Sequence, residues 1–159
     1  MILPIVKHPT PSLHKPSVEI TTEELLLPET QSFIDDLVES LKAEKNGVGI
    51  AAPQVGVNKR IIVVDHGGER MIYVNPRITS TSSQKVESEE GCLSVPGVWG
   101  VVERFKKVHV KALSRDGKKV ELKAAGFDAI IFQHEIDHLD GILFIDRATH
   151  LTKNSTSAL

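Results

Sequence analysis

The sequence predicts a single α+β domain, with mixed or antiparallel sheets packed around a central helix and an N-terminal helix on the outside. Three observations carry that prediction. Runs with strand-like alternation fill the middle of the chain, one helical pattern precedes them, and a second follows close to the C-terminus. The length, 159 residues, suits one domain with a real core.

The elements follow in order. An extended N-terminal arm carries Pro4, Pro9, Pro11 and Pro16. Glu29 to Lys45 reads as a helix, because Phe33, Ile34, Leu37, Val38 and Leu41 share one face and Asn46-Gly47 supplies a stop. Gly47 to Gly56 reads as a loop of small residues. Strand-like runs follow at Arg60–Asp65, Arg70–Asn75 and around Lys85–Val95. Val108, Val110 and Ala112 alternate with His109, Lys111 and Leu113, and Val120, Leu122 and Ala124 repeat the pattern beyond an Asp116-Gly117 turn, which predicts a hairpin. Gly126 to Asp140 reads as the late helix, ending at Gly141. Residues 1–148 are expected to form the domain, and 149–159 a short, polar, mobile tail.

Composition excludes several function classes. Forty per cent apolar and 25 % charged residues are ordinary for a soluble domain. A net charge of −2 lacks the basic excess of a nucleic-acid or membrane-surface binder, so neither a specific nucleic acid nor a membrane is expected as a partner. The apolar start is short and broken by Pro4, unlike a signal peptide, and no later run approaches a membrane span. Cytoplasmic residence is expected, with an organelle left open should a transit segment have been trimmed. Cys92 is the single cysteine and forms no internal disulfide.

The late helix carries His134-Glu135-Ile136-Asp137-His138, an H-E-x-x-H pattern. Residues four apart on a helix lie about 40° apart around the axis and roughly 6 Å along it, so both imidazoles reach one ion. Glu135 sits beside the first ligand, placed to act on water at the ion rather than to bind it. A catalytic site needs a third protein ligand. The extended metzincin pattern would place Gly and His at fixed offsets downstream; Gly141 matches, but Phe144 stands where the histidine belongs. The third ligand must come from elsewhere. Cys92, in Glu90-Gly91-Cys92-Leu93-Ser94 at the expected end of a strand, reads either as a buried small side chain, the usual role of a lone cysteine, or as a soft donor suited to iron, zinc or nickel.

Three segments together carry a family resemblance: Gly47–Gln54 (GxGxAAxQ), Glu90–Ser94 (EGCLS) and Gln133–His138 (QHExxH). In this order and spacing the chain resembles the bacterial-type peptide deformylases. The resemblance implies hydrolytic removal of the formyl group from the N-terminal formyl-methionine of nascent polypeptides, with release of formate. It implies that Cys92, His134 and His138 hold one divalent ion. Fe(II) would be the working metal, with Zn(II), Ni(II) or Co(II) able to substitute. Glu135 would be the general acid/base, and the Gln54 amide and Leu93 backbone N–H would stabilise the oxyanion. Gly49 would line the substrate backbone, and Val48, Trp99, Phe127, Ile130 and Ile131 would form the methionine pocket. Transient ribosome contact is a further implication; many bacterial members make it possible with a C-terminal helix, whose pattern Asn154-Ser155-Thr156-Ser157 breaks here.

Overall fold

The computed structural model of the protein describes residues 1–153. The N-terminal arm leads through a short 3-10 turn at Pro11–His14 into α1 (Thr22–Leu25), a single turn capped by the Thr21 hydroxyl, which accepts from the Glu24 N–H. Helix α2 (Pro28–Lys42) begins on a proline, whose fixed φ and missing N–H suit the first helical position. Its buried stripe is Ile34, Leu37 and Leu41, close to the face read from the sequence.

Five strands form an antiparallel sheet: β1 (Gly49–Ala51), β2 (Ile61–His66), β3 (Glu69–Thr81), β6 (Lys107–Leu113) and β7 (Lys119–Ala125), in the order β1-β2-β3-β6-β7. A second, three-stranded sheet contains β4 (Lys85–Cys92), β5 (Val95–Phe105) and β8 (His150–Lys153), in the order β4-β5-β8. Helices α3 (Gly126–Leu139) and α4 (Phe144–Arg147) lie between β7 and β8 in the chain.

Strand β2 shows how the layers stack. Successive side chains point to opposite faces of a strand. Ile62 and Val64 therefore join the core under α3, whereas Ile61 and Val63 join the core under α2. Helix α3 is buried without a gap from Ile131 to Leu139. Ala129, Ile131, Phe132, Ile136 and Leu139 pack on the five-stranded sheet. Toward the smaller sheet, the Gln133 amide accepts the Phe105 N–H at 2.8 Å and donates to the Phe105 carbonyl at 2.9 Å. This peptide-like pairing fixes the helix against β5. No helix among the described residues is long and apolar enough to cross a membrane.

Three differences from the sequence reading matter. Part of the supposed loop, Gly49–Ala51, is a strand, because its backbone pairs with Val64, Val63 and Ile62 at the sheet's end. The strand after Cys92 runs on to Phe105 despite Pro96, Gly97 and Gly100; Gly100 has no side chain because a Cβ there would lie 3.0 Å from Ala148, Leu151 and Phe144. The expected mobile tail is corrected in its first part: His150–Lys153 forms β8 through backbone pairing with Val98–Val101, which its four exposed side chains did not announce. The rest of that tail, residues 154–159, lies outside the described residues.

Candidate metal centre

Cys92 closes β4, where a register shift between Glu90 and Cys92 interrupts the pairing with β5. His134 and His138 stand one turn apart on α3. The fold brings these three to one point. One ligand atom from each lies within 4.8 Å of the others, and Cys92 Sγ is 3.2 Å from His138 Nε2. Metal–sulfur and metal–nitrogen bonds of about 2.3 and 2.1 Å in tetrahedral geometry would separate such atoms by roughly 3.6 Å. All three residues are buried.

Behind this group every charge has a partner. His134 Nδ1 lies 2.9 Å from Glu90 Oε1, which leaves Nε2 as the ring atom free for coordination. Arg104 Nε and Nη2 donate to Glu90 at 2.8 and 2.7 Å, and Nη1 donates to Asp137 at 2.7 Å. Arg147 closes the network with two bonds to Asp137, at 2.8 and 3.0 Å. Burial alone would raise the Glu90 carboxyl, but the bonds from Arg104 and His134 reverse this and bring its pKa down to about 2.

In front of the group lies the opposite condition. Glu135 is fully buried, and neither of its oxygens has a hydrogen-bond partner among the described residues. Burial pushes its pKa up to about 7. Gly49 of β1 packs directly on it: a Cβ built there would lie 2.7 Å from Glu135 Oε2. The Gln54 carbonyl oxygen of the side chain accepts the Ala51 N–H at 2.9 Å, which aims Nε2 toward Cys92 Sγ at 3.5 Å and Ser94 Oγ at 3.3 Å. Leu93 occupies the turn between Cys92 and Val95, which pair across β4 and β5. The N-terminal arm holds both segments, Val6 N–H donating to the Gln54 carbonyl at 2.7 Å and His8 N–H to the Ser94 carbonyl at 2.8 Å.

A divalent ion fits these residues. One sulfur and two imidazoles are an established donor set for zinc and iron. His134 Nε2 and both Glu135 oxygens are buried without partners among the described residues, a costly state unless a ligand satisfies them. The polypeptide deformylase family model matches residues 2–154. The chain belongs to the polypeptide deformylase family.

Deformylases remove the formyl group from N-terminal formyl-methionine, and the family's metal dependence agrees with the Cys92, His134 and His138 cluster. A peptide deformylase of Halothermothrix orenii is 53 % identical over 139 residues, covering 86 % of this chain and 85 % of its own. That of Desulforudis audaxviator is 43 % identical over 153 residues, covering 96 % and 97 %. A class I type b peptide deformylase from Acinetobacter baumannii, solved with Met-Ala-Ser bound, superposes with a TM-score of 0.87 at 38 % identity, covering 92 % of this chain and 98 % of that one.

The pocket residues expected of a deformylase are placed unevenly. Phe127 is 55 % exposed, Val48 and Ile130 are half-buried, and Ile131 is fully buried in the core beneath α3. Trp99 lies on β5 opposite Thr152 of β8, with its indole N–H buried and without a partner among the described residues. Sequence reasoning missed Glu90, Arg104 and Asp137 as parts of this deformylase centre. A signal was there: in β5 the inward positions are Val102 and Arg104 while Glu103 is exposed, and a charged residue at an inward strand position demands a buried partner.

Proposed function

We propose that this chain carries out its family's reaction at the centre formed by Cys92, His134 and His138, with the roles set out below. The observation that carries the reading is the convergence of these three ligands beside a buried, unpartnered Glu135. A divalent ion held there would supply Lewis acidity and lower the pKa of a water at its open position toward neutrality. Fe(II) is the proposed native metal, with Zn(II), Ni(II) or Co(II) able to replace it.

Glu135 takes a proton from the attacking water and returns it to the amine that leaves when the formyl C–N bond breaks. Its raised pKa, about 7, suits both halves of that exchange near neutral pH. The Gln54 Nε2 and the Leu93 N–H donate to the former formyl oxygen as negative charge gathers there, each worth on the order of 3 kcal/mol. Gln54 is supported in this role by its bond from Ala51, which presets the amide's direction.

The substrate backbone would lie along β1. This strand ends the five-stranded sheet, so its outer edge offers unpaired N–H and C=O groups to an extended peptide. Val48, Phe127 and Ile130 are the proposed methionine-pocket walls, with Trp99 at the margin and Ile131 as backing from the core. The Met-Ala-Ser ligand of the Acinetobacter relative supports an N-terminal methionine in such a pocket. Nascent formylated chains in the cytoplasm are the proposed substrates.

The test is formate release from a formyl-Met peptide compared with acetate release from its acetyl analogue. The reading expects turnover of the formyl peptide at least about a hundredfold faster, since a methyl group beside the reacting carbon crowds the site. Equal turnover would make the protein a general amidase instead.

A further inference from the structure

Arg104 is only 3 % exposed, yet its guanidinium joins two elements that deliver different ligands. Glu90, which takes two of its N–H groups, stands two residues before Cys92 on β4. Asp137, which takes a third at 2.7 Å, stands immediately before His138 on α3. The strand with the sulfur and the helix with both rings are thus tied to one side chain.

The grip on α3 has two points. Phe105, next to Arg104 on β5, pairs with Gln133 at 2.8 and 2.9 Å. Gln133 and Asp137 are one helical turn apart, and each directly precedes a histidine of the centre. Two anchors one turn apart fix both the rotation of a helix about its axis and its slide along it. They therefore fix where His134 and His138 point. Glu90 adds a third constraint by holding His134 Nδ1 at 2.9 Å.

We propose that Arg104 is a positioning residue for the metal centre, setting the approach of Cys92 to the two imidazoles, with Arg147 as a second brace on Asp137. The proposal rests on the reading that Cys92, His134 and His138 hold the ion. Without the guanidinium, buried Glu90 loses its arginine partner and Asp137 keeps only Arg147, so nothing ties the strand to the helix and relaxation of Glu90 moves the two apart. A purely structural ion pair would instead lower stability and leave the ion's site unaltered.

Co(II) serves as the probe, because its absorption reports both sulfur ligation and geometry. The dissociation constant is measured by competition with a chelator, alongside the sulfur-to-cobalt band and the melting of the metal-free protein. Arg104→Met is expected to weaken Co(II) binding by roughly 10- to 100-fold and to shift or diminish the band. Arg104→Lys should recover part of the affinity, since an ammonium holds a carboxylate but not the bidentate geometry. Folded Arg104→Met protein with wild-type affinity and an unchanged band overturns the proposal. Should that variant fail to fold, Asp137→Asn decides: roughly tenfold weaker binding supports the proposal, and unchanged binding overturns it. A wild-type protein lacking the sulfur-to-cobalt band would strike the ligand assignment itself, a result distinct from either.

Discussion

On one side of the His134 imidazole every buried charge has a partner; on the other none does. Behind the ring, Glu90 is paired twice with Arg104, and Arg104 and Arg147 share Asp137. In front, Glu135 and His134 Nε2 are buried with nothing among the described residues to satisfy them. The two carboxylates differ accordingly, one with its pKa drawn down to about 2 and the other pushed up to about 7. Both are fully buried, so burial does not separate them. Partners do. The satisfied side is architecture, and the unsatisfied side is where ion, water and substrate are proposed to complete the site.

The comparison breaks most sharply at Glu135. Glu135→Gln should retain the ion and lose at least about a thousandfold in turnover, measured as formate release at saturating metal. In the metal-free protein the same change should raise the melting temperature at pH 8. The sign follows from the raised pKa: folding favours the protonated acid, so the carboxylate costs stability as pH rises from its ordinary value of 4.5 through about 7. Near-normal turnover would remove Glu135 from the mechanism.

Glu90 should respond in the opposite sense. Its folded pKa is lowered from 4.5 to about 2, so its contribution is fully present above pH 4.5 and is lost as pH falls toward 2. That window corresponds to about 3 kcal/mol. Denaturant titrations of wild type and Glu90→Gln should differ by this amount at neutral pH and converge in acid. A constant difference across the window would contradict the pairing.

A smaller effect is expected where β1 packs on Glu135. Gly49→Ala places a methyl 2.7 Å from Glu135 Oε2 and 2.9 Å from its Cγ, so the carboxylate must shift. Turnover should fall roughly tenfold, because a displacement of that size misaligns a proton-transfer group. Unchanged kinetics would show that Glu135 has more freedom than its packing indicates.

Legibility in the sequence followed distance along the chain. His134, Glu135 and His138 are local, and helical periodicity alone placed them on one buried turn. Cys92 needed the family's motif spacing, since nothing local says that a strand end meets a helix forty residues on. The Glu90–Arg104 pair was hidden for a related reason: its members are 14 residues apart and meet only because β4 and β5 pair across a tight turn. Strand β8 left no apolar pattern, because its His150–Lys153 side chains are all exposed and backbone pairing alone holds it. Helix α2 and the β6–β7 hairpin were readable because a single buried face and an Asp116-Gly117 turn write them plainly.

X-ray absorption at the edge of a bound zinc ion tests the central claim most directly. One sulfur at about 2.3 Å and two imidazole nitrogens at about 2.0 Å are expected around a single ion, with the sulfur signal lost in Cys92→Ser. A first shell of nitrogen and oxygen alone, or a shell unaltered by Cys92→Ser, would contradict it.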